Sequence, residues 1–145
     1  MGVKVLWWWS LRGAEDVARY LVALALANQW RVIRVLHMYY VENYSPSVIE
    51  SVLNIPRSSV RGYVQRINTR VGSQRAHVLL RQLIPKLKTV TPVVNGDKCM
   101  LCNRPVDNMP IAAHIILFHK DLVDRIAHSI LNRVERVERA PAADK

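Results

Sequence analysis

Residues 44–70 have the sequence "YSPSVIESVLNIPRSSVRGYVQRINTR", which contains the signals for two helices joined by a tight turn. Ser45 is a good N-cap residue, and Pro46 suits the first position of the helix that follows it. Asn54 tolerates a left-handed backbone and, with Ile55 and Pro56, predicts the turn. The first helix is predicted to direct four apolar side chains inward: Val48, Ile49, Val52 and Leu53.

The second helix is predicted from about Arg57 to Asn68, with one apolar and one polar face. Val60, Val64 and Ile67 recur at helical spacing and form the apolar face. The other face is basic and rich in hydrogen-bonding groups: Arg57, Ser58, Ser59, Arg61, Gln65 and Arg66. Two helices, a tight turn and a basic second helix resemble the helix-turn-helix motif of DNA-binding proteins, here at about 45–68. The resemblance implies that the second helix enters the major groove of double-stranded DNA.

Three positions in this stretch are unusual. Glu50 stands where the motif usually has a small residue at the helix crossing, and Asn54 replaces the usual turn glycine. Gly62 lies inside the second helix, where glycine costs about 1 kcal/mol relative to alanine. Such a glycine suggests that something approaches the backbone closely. A helical hairpin that serves packing alone is the alternative interpretation.

The positive charge of the 145-residue chain is concentrated in its middle part. The net charge is +10, and residues 54–106 contribute +9 of it, because ten Lys and Arg residues face the single Asp97 there. Such a concentration is typical of a surface that binds a polyanion. It predicts further phosphate contacts from five basic residues that follow the motif: Arg70, Arg75, Arg81, Lys86 and Lys88. A solvated basic surface without a nucleic-acid partner is the alternative.

Residues 99–119, "CMLCNRPVDNMPIAAHIILFH", contain two cysteines and two histidines at a spacing typical of metal ligands. The pattern Cys99-x2-Cys102-x11-His114-x4-His119 resembles the two-cysteine, two-histidine zinc finger. Thiolates and imidazoles are the ligands that zinc prefers in a closed tetrahedral site. Five residues turn an ideal helix by ~140°, so we expect the helix to distort between the histidines. Unmetallated cysteines beside two unrelated histidines are the alternative.

The resemblance to the zinc finger implies a hairpin followed by a helix that starts near Asp107. The Asn95-Gly96 pair is a strong hairpin turn signal, and the hairpin either enters this module or forms a wing beside the helix-turn-helix. The positions that read bases in the family correspond to Asp107, Pro110 and Ala113, which are poor base readers. We therefore expect a structural zinc. Four protein ligands leave no place for a substrate, and the sequence has no nucleophile–base constellation or phosphate loop, so an enzyme is not expected.

Further helices are predicted on both sides of these segments. Residues 13–28 and 29–43 are predicted to form two helices, or one bent helix because no Gly or Pro separates them. Another helix begins at Ser73 and ends around Pro85. A long C-terminal helix has an apolar stripe that either joins the core or forms the seam of a homodimer. The stripe contains Val123, Ile126, Ala127, Ile130, Val134 and Val137.

The predicted architecture is mostly α: a helical domain with a helix-turn-helix at residues 1–88, then a small ββα zinc module with a long C-terminal helix at residues 89–145.

The longest apolar run, residues 20–27, is far below the ~20 residues of a membrane span, so no membrane partner is expected. Two neighbouring cysteines argue against a disulfide scaffold and indicate a reducing, intracellular setting. Trp7, Trp8 and Trp9 are either a strand or tail on the core or an exposed aromatic hook for a partner protein.

The combination of these parts resembles transcription regulators of hyperthermophilic archaea and their viruses. The resemblance implies a regulator, and more narrowly a repressor, that binds double-stranded DNA in the cytoplasm of a prokaryotic, for example archaeal, host. The alternative is a protein that binds RNA polymerase directly and blocks its DNA-binding channel, which a weaker resemblance to polymerase-inhibitory proteins of archaeal viruses implies. The three N-terminal tryptophans and the non-reading finger favour this alternative. A third hypothesis, an RNA-binding or packaging component, rests on charge alone.

Overall fold

The computed structural model of the protein describes residues 13–96, 98–102 and 111–143, with side chains as far as residue 132. The predictions for Trp7 to Trp9, Asp107 and Pro110 therefore lie outside the described residues. The helices are α1 (Glu15–Leu26), α2 (Trp30–Leu36), α3 (Pro46–Leu53), α4 (Arg57–Val71), α5 (Ser73–Lys86), α6 (Ile111–Phe118) and α7 (Lys120–Ala143). A π-helical turn, His37–Val41, extends α2, and a 3-10 turn, Leu87–Thr89, extends α5. Two short strands, β1 (Val94–Asn95) and β2 (Lys98–Cys99), pair antiparallel. The predicted class, mostly α with a small hairpin followed by helices, is confirmed.

α1 is the central helix of the molecule. Its residues are apolar on nearly all sides, and it packs against α2, α4, α6 and α7. Glu15 and Asp16 occupy its first turn, where acidic side chains suit the positive end of a helix. Asn28 has φ +62° and separates α1 from α2, so the chain forms two helices here and not one bent helix. The main core surrounds α1 and takes in side chains from α4, α5, α6 and α7.

The two helices of residues 44–70 form as predicted. The Ser45 hydroxyl accepts a hydrogen bond from the Val48 backbone N–H at 3.3 Å. Asn54 has φ 56° and ψ 46°, the left-handed conformation that ends α3. α4 extends to Val71, which is buried, and ends at Gly72 with φ +83°.

The prediction of four inward apolar side chains on α3 is wrong at two positions. Ile49 is fully buried and Leu53 is half-buried, but Val48 is 41% exposed and Val52 is 57% exposed. The two-turn helix packs on α4 and on the π-helical turn from one side only. A single narrow stripe of α3 is therefore covered, and Val48 and Val52 lie beyond it.

α5 and α7 pack against each other and complete the core. α5 buries five side chains: Ala76, Leu79, Leu80, Leu83 and Ile84. Within the part of α7 whose side chains are described, Val123, Ala127 and Ile130 are buried, and α7 packs on α1 and α5. The stripe thus belongs to the core over these residues, whereas Val134 and Val137 lie outside the described side chains. Among the described helices, none has the length and apolar character needed to cross a bilayer.

Candidate metal centre and basic helix

The two cysteines lie on the hairpin and in the turn after it. Gly96 has φ +66° and closes the turn between β1 and β2, so the hairpin leads into the Cys/His module. Val94 pairs with Cys99 across the two strands, and Cys99 is fully buried. The Val93 backbone N–H donates to the Leu26 carbonyl at 2.8 Å. This bond ties the hairpin to the end of α1 and fixes the position of the first cysteine.

The two histidines lie at the junction of α6 and α7. His114 is inside α6 and only 3% exposed, whereas His119 is the single non-helical residue between Phe118 and Lys120. The His119 N–H donates to the Ile115 carbonyl, and the Val123 N–H donates to the His119 carbonyl. The helix is interrupted at the second histidine, which confirms the predicted distortion. This interruption brings the imidazoles of His114 and His119 to the same side of the α6–α7 junction, where they face the hairpin.

The four predicted ligand side chains meet at one point. The Cys99 Sγ lies 3.3 Å from the His119 Nε2, and the Cys102 Sγ lies 3.6 Å from the His114 Nε2. All four ligand atoms lie within 4.8 Å of one another, close enough for one metal ion to contact each of them. The described residues therefore include a cluster of two thiols and two imidazoles with the arrangement of a metal site.

The surroundings of the cluster are apolar and belong to the main core. The rings of His114 and His119 are 5.2 Å apart, and the Phe118 ring lies 5.1 Å from that of His114. Cys99 and Ile115 are both members of the core that surrounds α1. An ion bound here would hold the hairpin, the α6–α7 junction and the helical core together. Ala113, one of the three finger positions considered for base reading, lies on α6 and is half-buried.

The predicted nucleic-acid contacts lie on α4 and α5, and all except Ser59 are exposed. The exposed residues are Arg57, Ser58, Arg61, Gln65, Arg66, Arg70, Arg75 and Arg81, and Ser59 is half-buried. The opposite face of α4, formed by Val60, Val64 and Ile67, is buried as predicted. A Cβ atom added at Gly62 would have no atom within 4 Å, so the fold itself does not require glycine there.

Several of these arginines have partners within the chain. Arg57 lies 3.3 Å from a Glu50 carboxylate oxygen, and Arg70 lies 3.1 Å from an Asp16 oxygen. The Arg81 Nε donates to the Tyr40 carbonyl at 3.4 Å. Arg66 lies beside Tyr20, whose pKa is raised by burial and in part restored by that positive charge. Arg75 also has an interaction in the structure.

Arg61 and Gln65 differ from Arg57, Arg66 and Arg70 of the same helix, which have partners within the chain. Within residues 13–96, 98–102 and 111–143, no hydrogen bond or ion pair engages either side chain. They are one helical turn apart and both are exposed, so they project from the same side of α4. Arg61 is therefore the arginine of α4 whose side chain has no partner among the described residues, and Gln65 lies beside it.

The sequence did not reveal two stabilising groups at this surface. The Glu50 carboxylate accepts a hydrogen bond from the Arg57 backbone N–H at 3.2 Å, so it caps the start of α4. Tyr40 is buried, which raises the pKa of its phenol, and its hydroxyl lies 3.1 Å from the Val64 carbonyl oxygen and 2.7 Å from the Asn68 Oδ1. Glu50 reaches across the turn to a residue outside its own helix, and Tyr40 contacts residues that are distant in sequence, so helical spacing signals neither pairing.

Comparison of the chain with protein-family models, with curated proteins and with solved structures gives no match. Fold and site alone thus define the class: a mostly helical protein with a two-cysteine, two-histidine cluster and an exposed basic helix.

Proposed function

We propose that this chain is a transcription regulator that binds double-stranded DNA through α4 and holds a structural zinc ion in its Cys/His cluster. The observation that carries the proposal is the exposed, unengaged pair Arg61 and Gln65 on a basic helix whose other face is buried. Arginine pairs with guanine edges and glutamine with adenine edges in the major groove, so these two residues are the candidates for base reading.

The remaining basic residues suit contacts with phosphates. Arg57 and Arg70 are both ion-paired at the surface, and such exposed pairs are weak enough to exchange a carboxylate for a phosphate. α4 has 15 residues and would extend about 22 Å, which suits a helix lying in a major groove about 12 Å wide. The net charge of +9 on residues 54–106 supplies the attraction to a polyanion.

The donor set of the cluster supports zinc as the metal. Zinc–sulfur bonds of ~2.3 Å and zinc–nitrogen bonds of ~2.0 Å place S and N ligands about 3.5 Å apart in a tetrahedron. The two sulfur–nitrogen distances of 3.3 and 3.6 Å fit that edge length. Cys99, Cys102, His114 and His119 would complete the coordination, so the ion would stabilise the fold and catalyse nothing.

The test is the binding of a labelled duplex library to the full chain, measured by fluorescence anisotropy at several salt concentrations. We expect affinity to fall by ~0.9 log unit per log unit of salt for each phosphate contact. Arg61→Ala should weaken binding about tenfold, as expected for the loss of a base contact. Arg125→Ala is the matched control, because Arg125 is an equally exposed arginine on α7. Absence of binding to any duplex at low salt would overturn the proposal.

The alternative, direct inhibition of RNA polymerase, is separated by a transcription assay. A DNA-binding repressor acts on some promoters and is relieved by competitor DNA that contains its site. A protein that blocks the polymerase inhibits unrelated promoters equally, and competitor DNA does not relieve it. Equal inhibition of transcription from unrelated promoters, by the original protein and by Arg61→Ala alike, would favour the alternative.

A further inference from the structure

The Cys/His module presents an unusual number of exposed apolar side chains. Met100 and Leu101, between the two cysteines, are 62% and 46% exposed. Leu117 and Phe118, between the two histidines, are 67% and 52% exposed. Large exposed apolar side chains that cluster in this way mark interaction surfaces more often than ordinary solvated ones. None of the four is a metal ligand, so metal binding does not account for their exposure.

Three of these side chains open into a groove that runs along α7. A cleft of about 560 Å³ is lined by Leu101, Leu117, Phe118 and the first residues of α7. A second cleft of about 500 Å³ lies between α7 and the segment from Thr89 to Val93. The two clefts share Leu122 and Arg125, so they meet on α7.

The groove follows one face of α7. Leu122, Arg125, Ile126, Ser129 and Ile130 all line it, at the i, i+3, i+4, i+7 and i+8 spacing of a helical face. From residue 118 to residue 130 this face extends about 18 Å at 1.5 Å per residue. A partner helix of about three turns matches that length. Peptides that bind in this mode place their own apolar residues at i, i+3, i+4 and i+7.

We propose that this groove, the α7 groove, binds an amphipathic helix of a partner protein that has an apolar face and acidic flanks. The groove is apolar along Leu122, Ile126 and Val90, and its charged lining residues are two cations, Lys120 and Arg125, against one Asp121. Lys120 also forms an exposed ion pair with Asp124 at 3.2 Å, and such a pair is weak enough to exchange for an acidic partner residue. Lys88 is exposed and directly precedes the segment from Thr89 to Val93, which forms the other side of the groove. Acidic residues beside the apolar face of the partner would meet these cations, and basic residues would be repelled.

The metal centre forms one end of the groove. Leu101 is held between Cys99 and Cys102, and Leu117 and Phe118 are held between His114 and His119. An ion that joins the hairpin to the α6–α7 junction therefore also fixes the position of these apolar side chains. This gives the Cys/His module a role in protein recognition on a surface separate from α4.

The test uses the full chain with zinc and a panel of fluorescent designed helices of about sixteen residues. Each peptide has leucines at i, i+3, i+4 and i+7, with glutamate flanks in one series and lysine flanks in the other. We expect the glutamate series to bind, measured by anisotropy, and Leu117→Ser to weaken it about tenfold, because one leucine contact is lost. Arg125→Ala should weaken the glutamate series and not the lysine series.

Val78→Ser is the matched control, since Val78 is 48% exposed on α5 and is absent from the lining of both clefts. Equal weakening by Val78→Ser, equal binding of the lysine series, or no binding by any designed helix would overturn the proposal. A dimer in light scattering that Leu117→Ser dissociates would also overturn it, since the groove would then bind a second copy. Leu117→Ser should leave DNA affinity unchanged, and Arg61→Ala should leave peptide affinity unchanged. The two variants therefore distinguish a failure of the α7 groove proposal from a failure of the DNA-binding proposal.

Discussion

Gly62→Ala should make the protein more stable and a weaker DNA binder. Gly62 lies in α4 on the exposed basic face, one turn from Ser58 and Arg66. A Cβ atom at this position would have open space around it within the chain. Nothing in the described structure therefore requires the glycine, and its cost to the helix remains uncompensated within the fold.

The size of the stability change follows from helix propensity. Replacing an exposed glycine in a helix interior by alanine is worth about 1 kcal/mol in the free energy of unfolding. In a chain of this length the midpoint of thermal unfolding should rise by about 2–4 °C. If DNA approaches the backbone at Gly62, the added methyl group should reduce affinity about tenfold, equivalent to roughly 1.4 kcal/mol.

The assay pairs thermal unfolding by circular dichroism with duplex anisotropy on the same preparation. Ser51→Ala is the control, since Ser51 is exposed on α3 and the change also improves helix propensity away from the basic face. It should raise stability slightly and leave DNA affinity unchanged. A stabilised Gly62→Ala that binds DNA as well as the original protein would refute a close approach of DNA to this backbone. An unchanged unfolding temperature would refute the cost assigned to the glycine.

Three further changes test the fold and its charges. Tyr40→Phe should lower the free energy of unfolding in urea by about 1–2 kcal/mol, because the acceptors on α4 lose a buried hydroxyl donor; an unchanged value would contradict the role of that hydroxyl. Burial alone would raise the pKa of Asp124, but hydrogen bonds, first that from Arg19, lower it below its ordinary 3.8. The stabilisation by the charged Asp124 carboxylate is thus complete above pH 3.8 and is lost as the pH falls through its folded-state pKa. Asp124→Asn should therefore be less stable than the original protein at pH 7 and equal to it in strong acid. Ile49→Ser should cost about 3 kcal/mol and Val48→Ser less than about 0.5, and equal costs would show that the two faces of α3 are wrongly assigned.

Local signals predicted much of the helical structure. The Ser45–Pro46 start and the Asn54 turn were recognisable because each depends on the conformational preference of one or two residues. The metal cluster was recognisable because two thiols and two imidazoles at this spacing form the donor set of a tetrahedral zinc site. The interruption at His119 followed from helix geometry alone.

Other features depend on tertiary packing and could not be predicted. The apolar pattern of α3 predicted that Val48 and Val52 face inward, but it does not tell how many elements pack against the helix. The sequence left two helices or one bent helix open at Asn28, because no Gly or Pro separates them and asparagine adopts positive φ only in some contexts. The α7 groove is formed by segments about 30 residues apart, so no local pattern indicates it.

The Cys/His cluster joins the hairpin, the core and the α7 groove, and we propose that it binds a metal ion. Cobalt(II) is the direct probe, because zinc has a filled d shell and gives no visible signal, whereas tetrahedral cobalt with thiolate ligands absorbs in the visible. Titration of the reduced chain should saturate at one ion per chain with a tetrahedral spectrum. Cys102→Ser, at a half-buried position, should lose that spectrum, and His128→Ala, outside the cluster, should keep it. An absent tetrahedral spectrum in the original protein, or an unchanged one in Cys102→Ser, would contradict the metal centre.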